Sequence, residues 1–500
     1  MQIKIRPHQL NADKNPLAGY KPYLYTAAAV FLGYLFFNFI WQVDQNILKT
    51  CMFTGVILCL LFAFKNRPSI ELVILAVIIA GILLRTGYML YTPYDFRTHD
   101  LGDPGNNGQL DYMYWILKNG TLPLTNQGQF YHPPLQQTLQ VLVVQFFFFF
   151  QPNVSTFHQL FDSSKLVPCF ASCAILLVSY KICRETKLSG KATLAAVSVV
   201  AFHPTFFILS GFVNNDPLML LFFMVAVLYA IKWYYKPTMQ NILVVALGIG
   251  LSAMSKLSGG MVALLIAPVF LAVLIQKIRL KTAKTLIAQF AVFLCVSLPL
   301  SLWFPIRQNI LFGQPLNFVL AMQGKDGFTG YYSFHHRFLP VWDINILNPL
   351  YCQPFTDYNL WVYTLKCSVF GEYSFGQPAI LAQVLIVANL IMIVFSLAAM
   401  IYVMLRGKQV NKFVRFGLFF IWLVQIVSFV YFNINFPYGC TMDFRYIMPT
   451  AITGAIYIGV CLYLLKRINK PVHKAFFFAG IACLVFFAAA SVLFYTFPAF

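Results

Sequence analysis

Residues 70–91 read IELVILAVIIAGILLRTGYMLY, and the chain then turns polar, reading YDFRTHDLGDPGNNGQLD over residues 94–111. The first stretch has the length and apolarity of a membrane-spanning helix. The second is crowded with acids, and charged groups are costly beside lipid, so we expect this loop in water at a membrane face. Acidic clusters of this kind usually have a functional role, and we interpret the loop as the acidic half of an active site.

The composition of the whole chain is that of a polytopic membrane protein. The 500 residues are 60% hydrophobic and 10% charged, and the mean hydropathy is +0.72, whereas a soluble domain carries about 25% charged residues. The first twenty residues are polar and basic, so we expect the first span to remain as an anchor. The fold class is therefore all-α, with about thirteen spans of the length a bilayer requires. The predicted spans are residues 24–41, 49–64, 70–91, 164–181, 192–210, 217–234, 239–255, 258–276, 286–304, 379–405, 414–433, 445–465 and 475–497.

The net charge of +20 is a topology signal. Lys and Arg stand in short clusters between apolar runs, and placing every cluster inside satisfies the positive-inside rule at each alternate loop. Only Asp13, Glu71 and Glu185 among the acids then fall inside, with the N-terminus inside and the C-terminus outside. Nucleic acid is excluded as a partner, because the basic residues mark a membrane side. The clusters lie at residues 4–21, 65–67, 181–191, 232–236, 277–284, 406–415 and 466–474.

The apolar stretch Leu135–Phe150 is predicted to lie in the outer interface. It is short, it follows Pro133-Pro134, and as a span it would invert the side of every later loop. The polar mass then falls on the outer face in two long segments that hold short interfacial helices. We divide the chain into an N-terminal tail with two extra spans (1–69), a membrane core with the first external loop at 92–163 (70–304), a second external loop (305–378) and the C-terminal spans (379–500).

Asp100 is the first candidate catalytic residue, as a general base that takes a proton from an acceptor hydroxyl. The crowding of acids in this loop favours such a role, because repulsion raises a carboxylate pKa. Asp103 and Asp111 are alternatives for the same place, and Asp103-Pro104-Gly105 also has the sequence of an ordinary turn. The neighbouring His99 is a candidate for substrate contact. His132, in Tyr131-His132-Pro133-Pro134-Leu135, is another, although the Pro pair also has a structural role at the start of a helix.

Cations at the predicted outer ends of spans form the second half of the site. Lys256 lies in the turn Met254–Gly260, where two glycines allow close backbone approach. Single interfacial cations often only snorkel, but these stand on the otherwise acidic face. An anionic ligand such as a lipid phosphate would explain them. Asp216, in Asn214-Asn215-Asp216-Pro217, reads as a helix cap and as a site acid, two compatible roles. The candidate cations are Lys165, Lys256, Arg307 and Arg445.

The order of these features resembles the large integral-membrane glycosyltransferases of the GT-C fold. The resemblance is strongest to the branch of the dolichyl-phosphate-mannose-protein mannosyltransferases (protein O-mannosyltransferases) and lipid A aminoarabinose transferases, and it covers about residues 70–465. The matching motifs are Asp100 after a span, His132-Pro133-Pro134-Leu135, Asn214-Asn215-Asp216-Pro217, Lys256, Leu298-Pro299-Leu300 with Trp303 and Arg307, Phe312-Gly313-Gln314-Pro315, and Arg445-Tyr446.

The sequence departs from the family pattern at three places. The usual Asp-Glu pair of the first loop reads His99-Asp100, and Leu101–Asn107 is an apparent insertion, so Asp103 or Asp111 could hold the catalytic place. Lys165 stands where the family has Arg. Two extra spans precede the family's first helix.

The resemblance implies an inverting glycosyltransferase that moves a sugar from a polyprenyl-phosphate donor to an acceptor hydroxyl of the cell envelope. Lys165, Lys256, Arg307 and Arg445 would hold the donor phosphate, and His99, His132 and Asp216 would contact sugar or acceptor. The active site would face the non-cytoplasmic side of a bacterial plasma membrane, or of the endoplasmic reticulum in a eukaryote.

No cofactor is required by this reading, and no metal-ligand spacing occurs, although clustered carboxylates could hold a divalent cation. Two alternatives stay open. A transporter or flippase for lipid-linked sugars predicts ionisable residues in mid-membrane and broken helices in two corresponding halves. A polysaccharide ligase or polymerase shares the outer-face chemistry but uses a lipid diphosphate donor.

Overall fold

A computed structural model of the chain describes residues 19–65, 68–96, 100–102, 107–150, 161–320, 327–339, 358–371 and 378–497. All regular secondary structure within these residues is helical, with one isolated β-bridge between Phe328 and Tyr438. The helices are α1 Lys21–Leu35, α2 Gln45–Lys65, α3 Ile70–Tyr91, α4 Gln109–Asn119, α5 Leu135–Phe150, α6 Leu166–Glu185, α7 Gly190–Phe202, α8 Pro204–Ser210, α9 Asp216–Tyr235, α10 Met239–Ser255, α11 Val262–Arg279, α12 Ile287–Phe312, α13 Phe334–Phe338, α14 Leu360–Phe370, α15 Ala379–Arg406, α16 Leu418–Asn435, α17 Pro449–Lys466 and α18 Pro471–Thr496.

The predicted all-α polytopic architecture is confirmed. Among the described residues, eleven helical segments have the length and apolarity to cross a membrane, and a bent pair, α7 with α8, makes a twelfth. The remaining predicted span forms helix α10, whose 17 residues extend about 26 Å, somewhat less than the ~30 Å hydrocarbon core. Helix α5 forms as predicted and carries exposed Phe148, Phe149 and Phe150 at its end.

The chain groups into two compact units, each made of non-consecutive segments. Unit 1 comprises residues 1–91, 186–208 and 324–500, and unit 2 comprises 92–185 and 209–323. Unit 2 therefore contains α4–α6 and α9–α12 together with the first external loop. The four-segment division of the sequence concerns order along the chain and stays a prediction.

The predicted span 192–210 forms as two helices, α7 and α8, with a bend of 51° between them. The cause is Pro204, which disfavours helical backbone at the preceding residue. His203 accordingly has φ −77° and ψ 121°. Because Pro204 also lacks an N–H group, the carbonyl of Val200 loses its helical donor.

Arg85 of α3, in the middle of a predicted span, satisfies the carbonyls that this bend exposes. Its Nη2 donates to the Val200 carbonyl at 2.8 Å and its Nη1 to the Ala201 carbonyl at 3.0 Å. The guanidinium is fully buried and also lies over the rings of Phe206 and Phe207. Arg85, which the sequence analysis did not single out, therefore joins α3 to the bend between α7 and α8 in unit 1.

We expect Arg85→Met to destabilise the protein by several kcal/mol, because each buried acceptor left without its donor costs about 1–3 kcal/mol. Thermal unfolding in detergent measures this loss. Arg279→Met is the matched control, since Arg279 is exposed and its replacement should change stability by less than about 0.5 kcal/mol. Equal melting temperatures for the two variants would contradict the role given to Arg85.

Candidate functional site

Charged side chains fix the direction of the helices in unit 2. Lys232 near the end of α9 lies 3.6 Å from Glu185 at the end of α6. The two helices therefore run parallel, and they start at the same end of the unit. Lys165, in the turn Ser163–Lys165 before α6, and Asp216, the first residue of α9, both lie at that end.

Helix α12 brings a third charged residue to the same end. Trp233 Nε1, near the end of α9, donates to Gln289 Oε1 near the start of α12 at 2.7 Å. Arg307 follows Gln289 by eighteen residues, or about 27 Å of helix, so it lies near the level at which α9 begins. We call this end of unit 2, which gathers residues from α6, α9, α10 and α12, the site end.

A buried ion pair joins Asp216 to Lys256. The Lys256 ammonium lies 2.6 Å from Asp216 Oδ1, and Asp216 is only 1% exposed. Asp216 stands in the first turn of α9, where the helix dipole favours a negative charge, and its N–H donates to Asn214 Oδ1 at 3.1 Å. The predicted phosphate ligand Lys256 thus has a carboxylate as its neighbour.

The glycine turn after Lys256 requires close approach. A Cβ added at Gly259 would lie 2.4 Å from Ser252 Oγ, and this hydroxyl donates to the Met219 carbonyl at 3.0 Å. Glycine is therefore needed where the turn Leu257–Met261 folds back onto α10. The turn holds Lys256 against the start of α9.

Lys165 is buried in a second ion pair. Its ammonium lies 2.6 Å from Asp162 and donates to the Thr92 carbonyl, also at 2.6 Å. The sequence analysis did not single out Asp162, although its spacing of three residues before Lys165 was a local signal. Burial, followed by the charges of Asp95 and Asp162, raises the pKa of the nearby Tyr94 to about 12. Tyr94 therefore stays a neutral hydroxyl donor at physiological pH.

Asp100 stands in a strained and exposed part of the first loop. Its φ is +56°, which is uncommon outside glycine although Asp tolerates it better than most residues. Its carbonyl accepts from the Gln109 N–H at 2.8 Å, and the Leu101 carbonyl accepts from Leu110 at 3.0 Å. A Cβ at Gly108 would lie 2.1 Å from the Leu101 carbonyl oxygen. The loop is thus clamped onto the start of α4, with the Asp100 side chain toward solvent.

Helix α4 also carries Asp111 in its first turn, where the side chain is half-buried. The next residue, Tyr112, is fully buried, and its hydroxyl donates to the His132 carbonyl at 3.1 Å. Burial raises the pKa of Tyr112, opposed by the charge of Arg307. His132 and Arg307 therefore lie near Tyr112, and Asp111 precedes Tyr112 on α4.

Buried glutamines connect these segments, and the sequence analysis missed them. Gln137 donates to Gln109 Oε1, and Gln109 donates to Gln129 Oε1 at 3.4 Å. Gln140 reaches the Ser164 carbonyl, next to Lys165, at 3.5 Å. The available signal was Gln136, Gln137 and Gln140 in an otherwise apolar helix, since such amides need buried partners.

A small cleft of about 20 Å³ opens at the site end, lined by His132, Leu257, Gln308 and Gln314 among others. Gln308 donates to the Phe130 carbonyl at 3.1 Å. Arg307 donates to the Pro123 carbonyl at 2.8 Å and to Gln308 Oε1 at 3.0 Å. The His-Pro-Pro-Leu segment, the turn after Lys256, the Arg307 helix and the Phe-Gly-x-Pro segment therefore meet around one cleft.

Arg445 belongs to unit 1. Its Nε lies 3.4 Å from Asp443 Oδ2, and its guanidinium lies over the Tyr446 ring at 5.3 Å. The span was expected to begin at this residue. Helix α17 instead begins at Pro449, a residue suited to the first helical position, and Arg445 lies in the preceding turn Phe444–Ile447.

Two predicted site residues, His99 and Asp103, lie outside the described residues. Within the described part of the chain, no group of three or more His, Cys, Asp or Glu side chains has the arrangement of a metal site. With His99 and Asp103 outside that part, the metal prediction stays a prediction.

The segment that carries most of these residues has a known counterpart. Residues 132–323 match the family model of dolichyl-phosphate-mannose-protein mannosyltransferase. This match confirms the predicted resemblance to that branch of membrane glycosyltransferases, over a segment that includes His132, Lys165, Asp216, Lys256 and Arg307. No curated protein matches the chain by sequence.

Similar folds occur among solved structures, of which twelve chains match. The apo oligosaccharyltransferase of Archaeoglobus fulgidus shares 15% identity over 84% of this chain, with a TM-score of 0.47, and this chain spans 56% of its length. Apo ArnT from Cupriavidus metallidurans shares 13% identity over 79% of this chain and 78% of its own, with a TM-score of 0.38.

We expect Lys256→Met to destabilise the protein by about 3–5 kcal/mol, because it leaves the Asp216 carboxylate buried without its cation. The double variant Asp216→Asn/Lys256→Met should lose less than the single one, since no uncompensated charge remains. Thermal unfolding in detergent completes the cycle, with Lys118→Met, at an exposed lysine, as control. Additive losses would show that the two charges are not coupled.

Proposed function

We propose that the protein is an inverting glycosyltransferase that uses a polyprenyl-phosphate sugar as donor and a hydroxyl as acceptor. The observation that carries the proposal is the site end itself. Asp216 with Lys256, and Arg307, come from positions far apart in sequence to one end of unit 2, within the segment that matches the family model. The loop with Asp100 is joined by its backbone to the start of α4, whose Tyr112 donates to the His132 carbonyl beside the cleft.

The opposite end of unit 2 supports the proposed membrane side. Lysines lie at this end. Lys181, Lys232 and Lys277 stand near the ends of α6, α9 and α11, and Lys284 stands just before α12. Basic residues at span ends favour the cytoplasmic side. The site end then faces outward, and we propose the plasma membrane of a bacterium, with a cell-envelope molecule as acceptor.

In the proposed reaction, Asp100 takes the proton from the acceptor hydroxyl as its oxygen attacks the anomeric carbon. The bond from that carbon to the phosphate oxygen breaks, and polyprenyl phosphate leaves with the bonding electrons. Inversion follows from a single displacement. The strained loop suits this role, because a backbone held at positive φ by the α4 contacts keeps the carboxylate projecting into solvent, where an acceptor arrives.

Stabilising the leaving phosphate is the largest electrostatic demand of this reaction. Arg307 uses two of its donors on Pro123 and Gln308, and a guanidinium has five. The Lys256 ammonium has three donors and so can bind phosphate while it contacts Asp216. Lys165, with carboxylate and carbonyl partners, supports the loop start at Thr92. Arg445 of unit 1 remains a proposed phosphate ligand, and no metal or cofactor is required.

The transport alternative has one supporting feature, the break between α7 and α8 with Arg85 beside it. Transporters of that design carry such breaks at corresponding places in two halves, and the described residues contain one bent pair. Arg85 is moreover occupied by the carbonyls of the break itself. The transferase explains more of the polar structure.

We expect Asp100→Asn to lower the rate of sugar transfer from defined polyprenyl-phosphate sugars by about 10²–10⁴-fold, the usual contribution of a general base. Asp95→Asn, at an exposed acid of the same loop, is the matched control and should retain activity. Loss of turnover in Asp103→Asn or Asp111→Asn, with full turnover in Asp100→Asn, would assign the base to that residue. Full turnover in all three variants would refute the proposed enzymatic function.

We expect Arg307→Met to lower kcat by about 10²–10³-fold, because the positive charge acts mainly on the departing phosphate. Arg307→Lys should recover part of the rate, since it restores the charge without the fork of donors. Steady-state kinetics on the purified protein measures both variants, and the melting temperature controls for the loss of the Pro123 contact. A change confined to KM would place Arg307 in ground-state binding only.

A further inference from the structure

A concave apolar groove of about 630 Å³ lies in unit 1, between helices α15, α17 and α18. It is lined by small residues and by large side chains such as Val394, Tyr402 and Phe476. At Gly480 the helices approach closely, because an added Cβ would lie 2.7 Å from both Leu462 and Phe395. The groove is therefore formed by closely packed helices. The small residues that line it are Ala398, Ala399, Ala479 and Gly480.

The groove is one leaflet deep. Along α15 it extends from Tyr402 to Leu390, which is about 18 Å of helix. Half of a ~30 Å hydrocarbon core is about 15 Å. An acyl chain that enters from one membrane face has this length, whereas a spanning helix would need about twice the depth.

Positive charge surrounds one end of the groove. Lys466 ends α17, Lys470 precedes α18, and Lys474 lies in the first turn of α18. Lys191, at the start of α7, lies close to Lys466. Like charges gathered at one place repel each other, so this arrangement favours a bound anion.

Carboxylates do not neutralise this charge within the described part of the chain. Lys466 and Arg467 instead lie over the rings of Phe477 and Tyr463, at 5.5 and 4.5 Å. His473 lines the groove at the same end, and its Nδ1 is buried without a hydrogen-bond partner among the described residues. The mouth of the groove thus offers several cations and one buried ring nitrogen. The cations are Lys191, Lys466, Arg467, Lys470 and Lys474, none of which forms an ion pair with a described residue.

We propose that this groove binds an anionic phospholipid, with an acyl chain between α15 and α18 and the phosphate at the lysine cluster. Charge and shape together support this ligand, because an apolar slot one leaflet deep ends in cations and in a group that can hydrogen-bond a lipid head. Basic pockets between membrane helices bind acidic lipid heads in this way. The groove shares no residue with the proposed sugar-transfer site, and the proposal does not depend on the role of that site.

The test is a titration of the purified, delipidated full chain with palmitoyl-oleoyl-phosphatidylglycerol, followed by native mass spectrometry. The same titration uses palmitoyl-oleoyl-phosphatidylcholine as the zwitterionic probe. We expect the anionic lipid to bind at least tenfold more tightly than the zwitterionic one and to raise the melting temperature. Equal binding of the two lipids would overturn the proposal.

Two kinds of variant separate the head-group contact from the acyl-chain contact. Lys466→Gln/Lys470→Gln should weaken binding of the anionic lipid by about fivefold for each charge removed. Ala398→Phe/Ala479→Phe fills the groove with aromatic rings and should abolish lipid binding. All four positions are exposed, so these variants are expected to fold, and the melting temperature without lipid verifies it.

Matched controls exclude a general effect of charge or bulk. Lys281→Gln/Lys284→Gln removes two exposed lysines of another basic turn, and Ala482→Phe adds bulk on α18 at an exposed position outside the groove. Both should bind the anionic lipid as the wild type does. Losses in the controls equal to those in the test variants would overturn the site. Displacement of the phospholipid by equimolar polyprenyl phosphate would overturn the choice of ligand.

Discussion

The contact between Asp216 and Lys256 holds the site end of unit 2 together. It joins Asp216, the first residue of α9, to Lys256, the residue directly after α10. Both charges are largely removed from water, and each is tolerable there only because of the other. The turn with Gly259 and the Ser252 hydroxyl keep the lysine in place, so the geometry of the cleft beside it rests on this pair.

The same constraint explains the other buried charges. Arg85 is held by carbonyls that Pro204 deprives of a donor, and Lys165 is held by Asp162 and the Thr92 carbonyl. Amides form a similar chain, since Gln137 donates to Gln109 and Gln109 donates to Gln129. The lysine cluster at the mouth of the unit 1 groove has no such partner among the described residues, and for this reason a ligand from the membrane is the natural complement.

Much of the architecture could be predicted because it depends on local properties of the chain. A run of about twenty apolar residues forms a helix wherever lipid surrounds it, and prolines mark helix starts without reference to the rest of the fold. The same local reasoning began the last-but-one span at Arg445 in place of Pro449. It gave no account of the bend at Pro204 or of Asp162.

The sequence by itself determined which segments are helical, which span ends carry charge of each sign, and which motifs recur in the mannosyltransferase family model. These follow from composition and order, which need no knowledge of contacts. The tertiary structure decided that Lys256 pairs with Asp216, and that His132, the turn after Lys256 and the Arg307 helix share a cleft. Those outcomes depend on helix direction and packing, and a pairing between residues forty positions apart leaves no local trace in the chain.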